Sequence, residues 1–386
     1  MKQQLHIAYL VSHYPHKAFN DDGGLGTSVY NLVERIRKGN HRVSVFVYGQ
    51  KSTFVIEEEN LKIYSIEALN APFLKFYFHR KYIEKFIKTR IKFDKIDLLE
   101  VPDWTGITAF MNFNIPVVVR FHGSDTYFCH LEKRKQKLQN FIFEKLAVRN
   151  ADAFIAPTEF AGKLSQKLFK IEDRYVQTIH YGLELENFQN PEPDHFENGL
   201  ILYIGTIIRK KGVLELPGIL RLVLKNHPDA KLVLIGSDAF DIATGSTSTW
   251  TLIENELGDA KHSVSYPGKI PYQYVQEYIK KAHVCVFPTF AETLGMVTIE
   301  SMALQKPVVN SNIGWANELI EDGISGFLVH PTDHELYAVR IGEILSSAAL
   351  AKTVGKAARE KVEADFDITK IVNLNIDFYM DVINNF

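Results

Sequence analysis

Apolar and polar positions follow two rhythms along the chain. Short runs rich in Val, Ile, Leu and aromatic residues are separated by longer stretches in which apolar positions recur every three or four residues. A short apolar run bounded by turn residues predicts a buried strand, and a 3.6-residue period predicts an amphipathic helix. Strands are predicted at 5–11, 42–47, 61–66, 96–101, 116–121, 153–156 and 176–180, then again at 200–204, 230–235, 263–266, 283–287, 307–310 and 327–329. Strands alternating with helices imply βαβ units and parallel sheets, hence an α/β protein. The Pro-, Asn- and acid-rich segment ENFQNPEPDHFENG (186–199) separates the two series and reads as a linker. Two Rossmann-like, doubly wound domains facing each other across a cleft follow, with bounds 1–188 and 189–367.

Length agrees, because 386 residues exceed one ordinary core. The composition, 46% hydrophobic and 23% charged, is that of a globular protein, and a net charge of −2 offers nothing for nucleic acid. Cys129 and Cys285 stand far apart, against a disulfide scaffold or a cysteine metal site. No apolar run reaches the roughly 18 residues of a spanning helix. The opening MKQQLHIAYLVSHYP reads as a first core strand rather than a signal peptide. A cytoplasmic location is expected.

The densest chemistry lies in 283–312 (HVCVFPTFAETLGMVTIESMALQKPVVNSN). A strand leads to a turn carrying Glu292, a helix starts near Gly295 and carries Glu300, and another strand follows. Strand carboxyl ends and helix amino termini suit phosphate-bearing ligands. A second constellation, GTIIRKKG (205–212), sets three cations in a glycine turn before a helix expected from Val213. Cations there oppose the helix dipole, so either a bound diphosphate compensates them, held by Arg209 and Lys211, or the turn is an exposed basic one. Its glycine spacing is not that of a P-loop. Gly236 and Gly268 end two neighbouring strands on the same edge, and together these turns would outline a nucleotide-sized groove.

Other segments keep two readings. DDGGLG (21–26) is either a ligand-lining loop or a plain βα turn, and it lacks the GxGxxG fingerprint. His122, at the end of PVVVRF, is a substrate-facing histidine or a structural one. Residues 75–95 hold eight Lys or Arg against two acidic residues, with Ile83, Ile87 and Ile91 on one face. That pattern fits either an amphipathic helix on an anionic membrane at the inner face or a packed helix with a solvated basic side. KRKQK (133–137) reads as a solvated helix face, and Thr158–Glu159 as a helix cap.

Taken together, Glu292, Glu300 seven intervening residues later, Phe290, GMVTIESMALQKPVV (295–309) and GWANELIEDGISGFL (314–328) resemble the GT-B retaining glycosyltransferases, specifically glycosyltransferase family 4. The likeness covers nearly the whole chain and is loosest in the first domain. It implies that Glu300 binds the ribose hydroxyls of a nucleotide-sugar donor and that Glu292 contacts the donor sugar. Backbone N–H groups around Thr293, Leu294 and Gly295 would hold phosphate or sugar oxygens. By resemblance Lys211, placed relative to Gly205, binds phosphate, and Lys269 and Ile270 lie beside the base. Thr206 replaces the family's arginine, for which Arg209 is the candidate substitute. His122 would contact the donor sugar, Gly24 would lie near the diphosphate, and a last helix (368–386) would pack back on the first domain.

Glycosyl transfer needs the leaving-group charge neutralised, and Arg209, Lys211 and the helix start at Gly295 offer that without a metal. Neither an Asp-x-Asp type metal site nor a cofactor is expected, the nucleotide sugar being a co-substrate (UDP or GDP type). The acceptor would be a glycan, a lipid-linked or a small molecule, with a cell-envelope or exopolysaccharide glycan as the leading expectation. A nucleotide-sugar epimerase of the same fold and a non-catalytic nucleotide-sugar binding module are the alternatives; a dehydrogenase lacks its glycine fingerprint, and a hydrolase would need two carboxylates flanking one bond. A site shared by two domains would require cleft closure.

Overall fold

The computed structural model describes residues 4–19, 24–69 and 74–386. They form two units, Met1–Gly182 with Ile368–Phe386, and Leu183–Asp367. The boundary expected at 188/189 thus falls inside the second unit, and the last segment belongs to the first.

Unit 1 is built on strands β1 (His6–Val11), β2 (Arg42–Gln50), β3 (Phe54–Glu58), β4 (Leu61–Glu67), β5 (Leu98–Pro102), β6 (Val117–Arg120), β7 (Ala153–Ala156) and β8 (Val176–Thr178). Their order is β3-β4-β2-β1-β5-β6-β7-β8. All pairs are parallel except the hairpin β3–β4. Strand β1 shows why the sheet is covered on both faces. Ile7, Tyr9 and Val11 enter one apolar cluster, Ala8 and Leu10 the other, so no face of β1 meets water.

The helix Lys75–Asp94 turns its isoleucines inward: Ile83, Ile87 and Ile91 join the core with Phe46 and Tyr64. The face that would lie in a membrane is therefore already packed. Lys81 and Lys88 pair with Glu84 on the same helix.

Helix Ile368–Asn384 packs Ile371, Ile376 and Tyr379 into the cluster around β1. It also completes a buried polar network. Arg120 Nε and Nη2 donate to the two carboxylate oxygens of Glu100 at 2.7 and 2.9 Å, and Asn375 accepts a further bond from Arg120. Tyr379 donates to Glu100.

Unit 2 carries β9 (Leu200–Ile204), β10 (Lys231–Ile235), β11 (Val264–Gly268), β12 (Val284–Phe287), β13 (Val308–Ser311) and β14 (Phe327–Val329), all parallel, in the order β11-β10-β9-β12-β13-β14. The order reverses between β9 and β12, and a crevice opens outside the carboxyl ends of such a strand pair. In unit 1 the same reversal lies between β1 and β5. Among the described residues, no helix is long and apolar enough to cross a membrane.

Candidate functional site

In unit 2 the turns after β9 and β12 are built against each other. The segment after β9 is a 3-10 turn, Arg209–Lys211, and the following helix begins at Leu216 rather than Val213, with proline in its first turn. The cations therefore sit in the turn, not in a helix first turn. Phe290 and Ala291 N–H both donate to Lys210 O, at 2.9 and 3.2 Å. Gly212 has φ +68°, and a Cβ there would come within 1.6 Å of Pro288 O. Only glycine permits that approach.

The docking brings Lys211 Nζ onto Glu292, 81 residues away, in an ion pair about a fifth exposed on each side. Glu292 also accepts from Thr293 N at 3.0 Å. Burial would raise the carboxyl's pKa, but Lys211 and these hydrogen bonds outweigh it and hold the pKa below the usual range. Gly295, at φ +98°, caps the helix Met296–Ala303; a Cβ built on it would lie 3.7 Å from Glu292 Cγ. No side chain caps that helix and its first turn holds no acid, so its dipole favours an anion beside Glu292 and Lys211. Thr293 and Leu294 are buried on the approach to this start. Phe290 lies edge-on to His330 at 6.3 Å.

Glu300, on the same helix, is 8% exposed. Burial pushes its pKa up to about 7, against the hydrogen bond that Tyr272 Oη donates to Oε1 at 2.7 Å. Lys269, exposed, and Ile270, half-buried, follow β11 and lead to Tyr272. Gly205, Gly236 and Gly268 end β9, β10 and β11 side by side: Gly205 N–H donates to Ile235 O and Gly236 N–H to Gly268 O. Thr206 is exposed, and its carbonyl accepts from Tyr203 Oη.

Arg209 is engaged elsewhere. Its Nε and Nη2 donate to both oxygens of Asp241, each at 2.8 Å. Asp241 is 1% exposed and also accepts from Thr244 N and Oγ1. Bonding to Arg209 first, and to Thr244, holds the Asp241 pKa down at about 2, so the carboxylate keeps its charge and its arginine. Arg209 thus braces the loop after β10 rather than standing free for a diphosphate.

In unit 1, His122 follows β6 and stacks on Tyr181 at 5.6 Å, sharing a 2.6 Å hydrogen bond between Nδ1 and Tyr181 Oη. Burial, aided by the charge of Arg120, lowers its pKa to about 3, so the imidazole is neutral at physiological pH. Its backbone N–H donates to Asp103 Oδ1 at 2.9 Å. Asp103 is fully buried at the end of β5, and its Oδ2 has no hydrogen-bond partner. His122, Tyr181, Ser28, Arg120 and Asn375 line one small cavity of unit 1. Gly24 opens the helix Gly24–Lys38, whereas Asp21, Asp22 and Gly23 lie outside the described residues. Among the described residues, no cluster of three or more His, Cys, Asp or Glu side chains could hold a metal ion.

Residues 186–361 match the model of glycosyl transferases group 1, and 22–187 match that of glycosyltransferase family 4. The chain belongs to glycosyltransferase family 4. An uncharacterized glycosyltransferase of Methanocaldococcus jannaschii is 23% identical, over 97% of each chain. Sucrose-phosphate synthase from Thermosynechococcus elongatus superposes with a TM-score of 0.78 at 22% identity, covering 99% of this chain and 100% of that one. Anabaena HepE in complex with UDP-glucose gives 0.72 at 17%, covering 98% and 100%. These likenesses establish the GT-B fold, in which both units are parallel-sheet α/β domains.

Within this glycosyltransferase, the structure brings together Lys211, Glu292, Thr293, Leu294 and Gly295, and places Glu300 on the helix that Gly295 begins. His122 and Gly24 belong to unit 1. Tyr272, Asp241, Tyr181 and Asp103 escaped the sequence reading. Each is a partner distant in sequence from the residue it holds, without a motif of its own; a tyrosine opening the helix after Lys269–Ile270 was the only local hint.

Proposed function

We propose that this glycosyltransferase moves a sugar from a UDP or GDP type nucleotide-sugar donor to an acceptor hydroxyl, with retention of anomeric configuration and without a metal. The observation that carries the reading is the Lys211–Glu292 pair beside the uncapped helix start at Gly295, at the reversal point of the unit 2 sheet. A strong cation and free N–H groups at one spot match the charge that develops on a departing diphosphate. Glu300, buried on the same helix, suits the vicinal hydroxyls of a ribose. Lys269 and Ile270 would flank the base. The complex of Anabaena HepE with UDP-glucose, a relative in fold, supports a nucleotide-sugar donor.

In the reaction, the bond between the anomeric carbon and the diphosphate oxygen breaks, and the acceptor oxygen bonds that carbon on the same face. The acceptor proton passes to the leaving phosphate oxygen. Lys211 holds the diphosphate charge, and Glu292 turns from its lysine to the hydroxyls of the sugar. In unit 1, neutral His122 carries its proton on Nε2 when Tyr181 donates to Nδ1, and that N–H can donate to a hydroxyl bound at the carboxyl edge of the unit 1 sheet. Arg209 acts through Asp241 as a brace. The acceptor is a glycan or a lipid-linked glycan.

The test is a transfer assay read by released nucleoside diphosphate, with the product anomer assigned by NMR. Retained configuration, lost in Glu292→Ala, is expected. An inverted product contradicts the retaining mechanism, and an altered nucleotide sugar without acceptor product contradicts transfer.

A further inference from the structure

Unit 1 exposes a connected set of aromatic rings that the core does not use. Phe76 packs on Phe143 at 6.0 Å, Phe143 on Phe110 at 5.8 Å, Phe110 on Tyr77 at 5.7 Å and Tyr77 on Phe78 at 5.6 Å. Phe76 is 57% exposed, and Tyr77, Phe78 and Phe110 are exposed as well. Leu74 and Leu138, each 72% exposed, stand at the starts of the helices Lys75–Asp94 and Leu138–Arg149. Single exposed apolar side chains are ordinary; a contiguous aromatic patch marks an interaction site.

Three features say what covers it. The first is its position: it is made by the segments that follow β4, β5 and β6, so it lies at the carboxyl edge of the sheet, the edge on which His122 sits. The second is charge. The exposed Lys133, Lys135 and Lys137 run directly into Leu138, and Lys75 lies beside Phe76. Exposed aromatic rings on segments that also carry exposed lysines suit the boundary between hydrocarbon and anionic headgroups. The third is backbone: Leu74, Thr105 and Phe110 have φ of 46°, 62° and 66°, a conformation costly for side chains of this kind, and it is kept in segments bordering the patch.

We propose that this patch docks unit 1 on an anionic lipid bilayer, with Phe76, Tyr77, Phe78 and Phe110 seated among the headgroups. It is a different surface from the isoleucine face of Lys75–Asp94, which the core occupies. The docking brings the carboxyl edge of the unit 1 sheet to the membrane, so the acceptor is lipid-borne; this last step rests on the transferase reading above, whereas the docking itself does not.

The experiment is co-sedimentation of the full chain with vesicles of phosphatidylcholine alone and of phosphatidylcholine mixed with phosphatidylglycerol. Binding at least tenfold stronger to the mixed vesicles, weakening as salt is raised, is expected. The triple variant Phe76→Ser, Tyr77→Ser, Phe110→Ser loses binding at least tenfold, and Lys133→Glu, Lys135→Glu, Lys137→Glu loses the preference for anionic lipid. Both keep the unaltered chain's circular dichroism and its thermal response to the nucleotide-sugar donor, which separates this outcome from failure of the donor site. Absence of vesicle binding, or binding indifferent to both variants, overturns the proposal. So does patch-dependent self-association in solution without vesicle binding, which would name a second copy of the chain as the occupant.

Discussion

Lys211 holds the Glu292 carboxyl in its charged form, and this makes their substitutions distinguishable. Glu292→Ala removes the proposed contact to the sugar and is expected to lower kcat/KM by about 10²-fold or more, in the range of losing one transition-state contact. Lys211→Ala removes the cation that depresses the Glu292 pKa, so besides a loss of rate the acid limb of the pH profile should move to higher pH. A profile that stays in place in the lysine variant would show that the pair does not govern the site. Glu300 has its pKa shifted the opposite way. Its carboxyl titrates near 7 because it is buried, and the charged form is the better acceptor for ribose hydroxyls. Donor affinity measured by calorimetry should therefore be full above pH 7 and fall as pH drops through it, approaching tenfold per unit at lower pH. Glu300→Gln should bind weakly and without that slope.

At the scale of elements, the site depends on two turns touching. Gly212→Ala places a methyl group on Pro288 O and forces a left-handed backbone angle on alanine. We expect a loss of stability above about 1 kcal/mol in chemical denaturation, together with weaker donor binding, since the turn carries Lys211. An unchanged midpoint would refute the tight docking of these turns. The alternating pattern exposed nearly every strand, because a parallel sheet covered on both faces demands continuous apolar runs. It missed β3 (FVIEE), an edge strand of the hairpin β3–β4 whose Phe54 and Val55 remain exposed and whose acids look like loop. The paired glutamates were legible because a single turn and helix carry both. The role of Arg209 was not, since its charge is answered by Asp241, 32 residues away on another loop. The isoleucine spacing of Lys75–Asp94 revealed a buried face correctly while leaving open what buries it; the core clusters answer that.

At the scale of the whole molecule, the chain enters unit 2 at Leu183 and returns to unit 1 at Ile368. The returning helix is tied in by the Arg120–Glu100 pair, which Asn375 and Tyr379 complete. Asn375→Ala leaves a buried guanidinium short of an acceptor and should cost about 1–3 kcal/mol, seen as a lower Tm for the unit 1 transition with donor binding to unit 2 preserved. A Tm equal to that of the unaltered chain would mean the network is dispensable. Donor binding is proposed for the carboxyl edge of the unit 2 sheet. It is tested most directly by thermal shift against UDP, GDP, ADP and TDP sugars, on the unaltered chain and on a Lys211→Ala, Glu300→Ala variant. A donor at about a hundred times its Kd adds roughly 2.7 kcal/mol, which for a unit of this size is a rise of several degrees. Such a rise with one nucleotide class, and its loss in the variant, is expected. No rise with any of the sugars, or a rise that survives the double substitution, would contradict it.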